Sequence, residues 1–287
     1  MPALPALERV VSEGLLLVID GDSLAHRAYH ALPKSMRSSL GRPSGALIGF
    51  TNFLVRLWDA EQPAGVLVGW DTLEVPTYRH ESLPGYQAGR VFEPAILEQL
   101  GLLPDVVRSF GFLAGKAPGY EADDFLAAAA TNWTGPVLVA TSDRDAFQLV
   151  SDRVNILQPI KGVSELARIG PEEVRARYGV EPEQVPDFIA LRGDSSDHIP
   201  GAPGVGPKKA ADVLRQYGSL ESALEAGRFS QIADDLRLYR HIASMDAGAP
   251  IPPLAATPPD WAAAASHASS LGLGALAGRL EERASAS

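Results

Sequence analysis

Three short apolar runs along the chain each stop abruptly at aspartates. Residues 14–19 run into Asp20-Gly21-Asp22, residues 65–70 into Asp71, and residues 137–141 into Ser142-Asp143-Arg144-Asp145. Unbroken apolar runs of this length suit strands buried on both faces, as in a parallel sheet. A fourth strand is expected from Arg153 to Leu157. Between them the spacing turns helical. Ser44 is placed to cap a helix through Ala60, with Ala46, Leu47, Phe50, Phe53, Leu54, Leu57 and Trp58 on one face. Glu93-Pro94 starts a helix to about Ser109, since Pro at an early helical position loses no hydrogen bond. Further helices are expected to open at Gly119–Asp124 and Gly170-Pro171, over residues 188–192, from Pro207 to about Gln216, and over 220–226 and 232–245. The Ala/Pro-rich stretch 247–260 reads as loop, and the tail to Ser287 as one last helix before fraying. Strands alternating with helices imply crossover connections. The expected class is α/β, with a mainly parallel sheet covered by helices on both faces.

Composition narrows what such a fold does. A chain of 287 residues, 46% hydrophobic, can bury one large core or a core plus an appendage. The formal net charge of −10 argues against a simple basic surface for nucleic acid, yet it leaves room for a local basic patch beside a cation-demanding site. Zero cysteines exclude disulfides, thiolate zinc sites and cysteine nucleophiles. No run approaches the roughly 18 apolar residues of a membrane helix, and the N-terminus lacks a signal pattern, so a cytoplasmic location without a membrane partner is expected.

The chemistry lies in the acids. Ligands of open parallel sheets bind beyond the carboxyl ends of the strands, which makes Asp20 and Asp71 neighbours. Glu121, Asp123 and Asp124 crowd one helix start. The helix dipole offsets only about 0.3–1 kcal/mol of repulsion for each acid, so cations are the natural remedy. By itself that cluster reads first as a solvated acidic helix end; the acids at other element ends change the reading. Asp143, Asp145, Asp194 and Asp197 complete the set. Oxygen ligands without Cys or His select hard cations, so Mg²⁺ or Mn²⁺ is expected rather than zinc. Two such ions about 3.5–4 Å apart serve phosphoryl displacement. Residues 75–92 mix basic and aromatic side chains without a clean period. Arg79 and Arg90 can hold phosphates there, and Tyr78, Tyr86 and Phe92 can stack on bases, although an irregular surface loop is the blander reading. Residues 199–211 pair Gly204 and Gly206 with Pro207, Lys208 and Lys209 at the start of an amphipathic helix. That is a helix-hairpin-helix signature whose backbone N–H groups can face a phosphate.

The ordered motifs Val18-Ile19-Asp20-Gly21, Tyr78-Arg79-His80-Glu81, Gly85-Tyr86-Gln87-Ala88-Gly89-Arg90, Gly119-Tyr120-Glu121-Ala122-Asp123-Asp124, Thr141-Ser142-Asp143-Arg144-Asp145, Gly193-Asp194-Ser195-Ser196-Asp197 and Gly204-Val205-Gly206-Pro207-Lys208 resemble the 5′-nuclease (flap endonuclease) family. Within it the likeness is nearest to the 5′→3′ exonuclease domain at the N-terminus of bacterial DNA polymerase I. The match spans residues 15 to 240 in order. The resemblance implies a monomeric two-metal nuclease acting on DNA with 5′ single-strand flaps or ends. Its core, 1–180, would include a helical arch at about 75–110. Residues 181–287 would form the helix-hairpin-helix DNA-binding region, with a bound K⁺, and C-terminal helices packed on the core. By resemblance Asp20, Asp71, Glu121, Asp123 and Asp143 serve one metal, and Asp145, Asp194 and Asp197 the other, with Asp124 bridging or behind them. Asp20, Asp71, Arg79 and Arg90 would be catalytic, and His26, Arg27, Gln87, Gly204, Gly206, Lys208 and Lys209 would meet DNA. Two positions depart from the family: Gln87 stands where Lys is usual, and His26 where Tyr is common. With no polymerase segment following, the chain resembles a free-standing nuclease or a trimmed domain.

Two rivals remain at this level. Asp20-Gly21-Asp22 after a strand, then Thr141/Ser142, Lys161 and Gly193-Asp194, mimic a haloacid-dehalogenase-type phosphatase with Asp20 as nucleophile and Asp22 as general acid. It leaves Asp71, the Glu121 cluster and the hairpin without a role. A DNA-junction binding module that has lost catalysis is the other, kept alive by Gln87.

Overall fold

The computed structural model describes residues 14–161 and 165–286; the remaining residues of the expected domain division lie outside them. Six strands, β1 (Leu16–Asp20), β2 (Gly65–Gly69), β3 (Leu113–Gly115), β4 (Val137–Ala140), β5 (Val154–Lys161) and β6 (Glu165–Ile169), form one sheet in the order β3-β2-β1-β4-β5-β6. The first five run parallel, and β6 returns antiparallel along β5. The three apolar runs are three adjacent inner strands, β2, β1 and β4, so Asp20 and the residues after β2 and β4 emerge side by side at one sheet edge. The sequence pattern did not show β3 or β6. One is three residues long and only partly buried, and the other, Glu-Leu-Ala-Arg-Ile, is too polar for a buried run, as an edge strand can be.

Alternation along the strands divides the core in two. Leu17, Ile19, Val66, Val68, Leu138 and Ala140 face α1 (Gly21–Ala31), α2 (Gly45–Glu61) and α4 (Pro94–Ser109). Leu16, Val18, Leu67, Val137 and Val139 face α5 (Ala122–Asn132), and that cluster continues without a break into α7 (Val185–Arg192), α8 (Pro207–Tyr217), α9 (Leu220–Glu225) and α10 (Ala233–Ala243). The helical C-terminal region therefore shares its core with the sheet. The α6 helix (Pro171–Tyr178) joins the two regions, adding Val174 to the same cluster.

Local chemistry explains several element ends. Ser44 precedes α2 but makes no side-chain cap; buried Gln99 of α4 supplies it, its Oε1 accepting from the N–H groups of Ala46 (2.7 Å) and Leu47 (3.3 Å). That cap also corrects the expected arch. Its second half, α4, buries Ile96, Leu100, Leu103 and Val107 beneath the sheet face, leaving residues 75–92, with the short helix α3 (Tyr78–Ser82), to stand beside the acids. The tail holds two helices rather than one fraying helix. Asp260 caps α11 (Trp261–Ser270) through Ala263 N–H at 2.8 Å, and α12 (Gly274–Ala286) follows. Both bury small apolar faces against the α2/α4 layer, and Arg283 forks onto Asp59 of α2. Alanine-rich faces carry little hydrophobic signal, which is why the sequence suggested only one helix there. No helix among the described residues is long and apolar enough to cross a membrane.

Candidate active site

The sheet edge is wired acid by acid. Asp20 ends β1 and caps α1; its Oδ1 accepts from Ser23 N–H (2.9 Å) and its Oδ2 from the Thr141 hydroxyl (2.6 Å) just beyond β4. The same Thr141 oxygen accepts from Asp143 N–H at 3.0 Å, and Asp143 Oδ1 accepts from Asp145 N–H at 2.8 Å. On the other side of Asp20, Asp71 follows β2. Its N–H donates to Asp22 (2.8 Å) and its Oδ1 accepts from Ala122 N–H (2.7 Å), the first amide of α5. Gly69 makes this approach possible, because a Cβ there would lie 2.6 Å from the Ala122 carbonyl oxygen. Asp123 sits one residue further into α5.

The segment 75–92 is welded to the start of α5. Thr77 and Tyr86 hydroxyls donate to Glu121 at 2.9 and 3.0 Å. Arg79 is buried and forks onto both oxygens of Asp124 at 2.9 and 2.7 Å, while its other donors reach the carbonyls of Ile242 (3.0 Å) and Ser244 (3.1 Å). Only the far end reaches across the cleft. Gln87, in the left-handed region at φ 48°, donates to Tyr86 Oη (2.8 Å) and Asp197 Oδ1 (3.0 Å), and Arg90 donates to the same Asp197 oxygen at 3.0 Å.

Two cavities share this floor. One of about 200 Å³ is ringed by Asp20, Asp22, Asp71, Glu121, Asp123, Asp143 and Asp197, with His26, Gln87, Arg90 and Phe92 on its wall. The other, about 1000 Å³, again takes in Asp20 and Asp143, adds Asp145 and Asp194, and is bounded by Arg144, Arg177, Arg192, Lys208 and Arg215. Among the described residues no three acids are drawn together as a ready metal cage. They ring the cavity, as like charges do without a cation between them. Burial, opposed by the Thr141 and Ser23 hydrogen bonds and reinforced by the Asp71 and Asp143 charges, pushes Asp20 up to about 7. Asp197 rises to about 6, from burial and then the Asp143 charge. Burial and neighbouring acids also raise Asp22, Asp71, Asp123, Asp143 and Asp145. Of the acids lining the two cavities, Asp194 moves down: burial opposes its charge, but hydrogen bonds from Ser196 and the Arg192 guanidinium prevail. A divalent cation fits this floor on one direct observation. Asp123 Oδ1 is buried and has no hydrogen-bond partner, an arrangement that costs free energy unless something positive faces it.

Most of the expected site residues meet here; others do not. Asp124 lines neither cavity. Both its oxygens are committed to Arg79, Glu121 N–H (3.1 Å) and Asp246 N–H (2.8 Å), so it is scaffold rather than ligand, and Arg79 is equally unavailable to a phosphate. Asp197 lies with the first cavity, not with Asp145 and Asp194. Tyr86 is buried against Glu121 and Tyr78 Oη bonds the Ser244 carbonyl, leaving Phe92, 5.0 Å from the His26 ring, as the one of the three expected stacking aromatics that lines the smaller cavity without being buried. Arg27 bonds Ser142 Oγ (3.1 Å) and the Pro159 carbonyl (3.3 Å), bracing α1 against the sheet. Lys161 ends β5, and its side chain lies outside the described residues. Sequence reading passed over Asp22 as part of the acid ring, and over the basic wall of Arg177 and Arg215. The spacing of Asp22 two residues after Asp20 could have revealed the first; nothing local distinguishes two exposed-helix arginines.

The helix-hairpin-helix is present. Asp194 and Ile199 exchange N–H···O bonds of 2.8 Å, and the loop continues through Gly204 at φ 73° to Gly206, which precedes α8. Lys208 faces the larger cavity, whereas Lys209 Nζ bonds the Gly204 carbonyl at 2.9 Å.

A doubly covered, mainly parallel sheet with an acid-floored cleft and a helix-hairpin-helix on its rim is the arrangement of the flap-endonuclease fold. The chain belongs to the 5′-3′ exonuclease family: residues 15–179 match its N-terminal resolvase-like domain and residues 180–256 its C-terminal SAM fold. DNA polymerase I of Mycobacterium bovis is 44% identical over 215 residues, 73% of this chain and 24% of that protein. The thermostable DNA polymerase I of Thermus thermophilus is 41% identical over 217 residues, 74% of this chain and 25% of that one. The chain thus spans about a quarter of the length of these relatives. Among solved structures, T5 5′-exonuclease with bound zinc superposes with a TM-score of 0.66 at 17% identity, covering 94% of this chain and 99% of its own. Flap endonuclease-1 from Methanococcus jannaschii gives 0.60 at 14%, covering 95% and 93%. Both likenesses concern the fold. Membership of the family removes the phosphatase reading.

Proposed function

We propose that the protein is a structure-specific 5′ nuclease that hydrolyses DNA phosphodiesters at the junction of a 5′ single strand and a duplex. The observation that carries this is the partnerless Asp123 oxygen in a ring of acids, with a glycine-rich hairpin and Lys208 beside it. Bound there, a pair of Mg²⁺ or Mn²⁺ ions supplies activation of a water and neutralisation of charge on the attacking and leaving oxygens. The ring of Asp20, Asp22, Asp71, Glu121, Asp123, Asp143 and Asp197 would hold one ion, a few of them directly and the others through its waters, and Asp145 and Asp194, with the shared Asp20 and Asp143, the other. Arg90, now bonded to Asp197, would turn to the scissile phosphate, which arginine grips through two parallel hydrogen bonds. Phe92 and His26 offer a stacking face to a base of the 5′ strand. Lys208 and the backbone around Gly204 and Gly206 would hold a duplex phosphate, with K⁺ at the hairpin and a monomer acting alone.

The deciding experiment offers a 5′-flap DNA and, separately, a generic phosphomonoester, each with Mg²⁺ or Mn²⁺. Cleavage of the flap DNA alone, abolished by excess chelator, is the expected result. Monoester turnover without flap cleavage, or undiminished cleavage in chelator, would overturn the proposal. Metal-independent DNA binding without cleavage would favour the junction-binding module.

A further inference from the structure

The buried pair Arg79–Asp124 ties together three parts of the molecule that the reaction needs in register. Arg79 belongs to α3 at the root of the segment beside the cleft, Asp124 to the first turn of α5, and the carbonyls of Ile242 and Ser244 to the end of α10 in the helical region. Asp124 is fully buried and Arg79 is 3% exposed, so each depends on protein partners rather than on solvent. Burial works against the Arg79 charge, but the Asp124 hydrogen bonds and the Glu121 and Asp124 carboxylates outweigh it, and the guanidinium stays charged. Asp124 Oδ2 also accepts from Glu121 N–H, and Arg79 Nη1 lies 3.6 Å from Glu121 Oε2. The pair thus fixes the backbone on one side of Asp123 and the carboxylate of Glu121, while Asp246 N–H on Asp124 Oδ1 closes the link to the helical region.

A plain hydrophobic contact would hold these elements together as firmly, since buried ion pairs give little net stability over apolar replacements. What the fork adds is direction: two parallel bonds allow one orientation of α5 relative to α3, where apolar packing allows several. We infer that Arg79 and Asp124 are positioning residues, which set the first turn of α5 so that Glu121 and Asp123 face the cation site. Neither touches substrate or metal. The inference rests on the nuclease reading above.

The test uses the whole chain with Arg79→Lys, which keeps the buried charge but loses the fork, and Asp124→Asn, which keeps the shape but loses the charge. Melting by circular dichroism confirms that each variant is folded, Mn²⁺ affinity is read by electron paramagnetic resonance, and kcat and KM are measured on one 5′-flap DNA. Both variants are expected to bind Mn²⁺ about 10–100-fold more weakly, the usual cost of removing a group that orients a metal ligand, with the same number of ions at saturation. The kcat should fall at subsaturating Mn²⁺ while KM for DNA stays within about twofold, because the phosphate-holding side chains lie elsewhere. Raising Mn²⁺ should restore much of the loss. Folded variants with wild-type Mn²⁺ affinity and kcat would reduce the pair to a structural clamp, and loss of a whole ion from Asp124→Asn would make it a ligand; either overturns the inference. Should Asp124→Asn fail to fold, Arg79→Lys decides alone. Failure of the nuclease reading looks different, since wild type itself would then neither bind Mn²⁺ nor cut the flap.

Discussion

At the scale of single residues, the chemistry turns on which carboxylates have room to accept a cation. Asp143 and Asp145 follow β4 on the floor of the larger cavity, beside the hairpin but not part of its grip. Replacing either by Ala should abolish cleavage and leave DNA binding intact, because metal ligands act on chemistry and phosphate contacts on grip; two mutants cutting at wild-type rate would misplace that strand end. Asp197 raises a subtler question. Its Oδ1 holds both Gln87 and Arg90, so the far end of the 75–92 segment is latched onto an acid of the cavity ring. Gln87→Lys should speed single-turnover cleavage, since a positive charge in a partly dry site stabilises developing negative charge more than it would in water. Arg90→Ala should slow it by about tenfold or more, given about 1.5–3 kcal/mol for a charged hydrogen bond. If the first is no faster and the second no slower, no cation from this segment takes part in the reaction.

At the scale of elements, the hairpin and α8 should govern grip. Removing one cation that neutralises a DNA phosphate flattens the logarithmic salt dependence of binding by about 1. Lys208 faces the large cavity and should behave in that way when changed to Ala, weakening all duplex sequences alike. Lys209 should show less, because its ammonium already bonds the Gly204 carbonyl and steadies the loop. Filter-binding or anisotropy titrations across a salt series separate the two, and equal slopes for wild type and Lys208→Ala would move the duplex grip elsewhere. The same elements show what a sequence can reveal. Asp20, Asp71 and Asp143 were legible because each ends an unbroken apolar run, and a parallel sheet sends such ends to one edge. The hairpin was legible because Gly, Pro and Lys occupy fixed offsets. Arg79 and Asp124 were not: both looked like site residues, and only the approach of α10, more than a hundred residues later, shows that their charges cancel in the interior. The fork could not be anticipated because it depends on three elements meeting. The strands β3 and β6 and the α11/α12 pair escaped for the opposite reason, since their own side chains are too short or too polar to signal burial.

For the whole molecule, gathering so many acids at one sheet edge makes stability depend on pH and on cations together. Asp20 titrates near 7 and Asp197 near 6 in the folded protein, and Asp22, Asp71, Asp123, Asp143 and Asp145 also lie above their ordinary range. From about pH 4 to 7 the folded protein therefore holds more protons than the unfolded chain, and ∂ΔG/∂pH is negative through that window. His26, lowered by burial, opposes this, as do Asp194, Glu74, Glu93 and Glu221 at the lower end of the window, and the raised acids outnumber them. With chelator present, the melting temperature should fall as pH rises from 5 to 8. Divalent ions bind the deprotonated acids and not the unfolded chain, so Mg²⁺ or Mn²⁺ should raise the melting temperature more at pH 8 than at pH 5. At about 100 times the dissociation constant the gain is about 2.7 kcal/mol, enough to see by calorimetry. A metal-free melting temperature that climbs with pH across this range would mean that the acids are not crowded in solution as they are in the structure, and the cation site would have to be sought elsewhere.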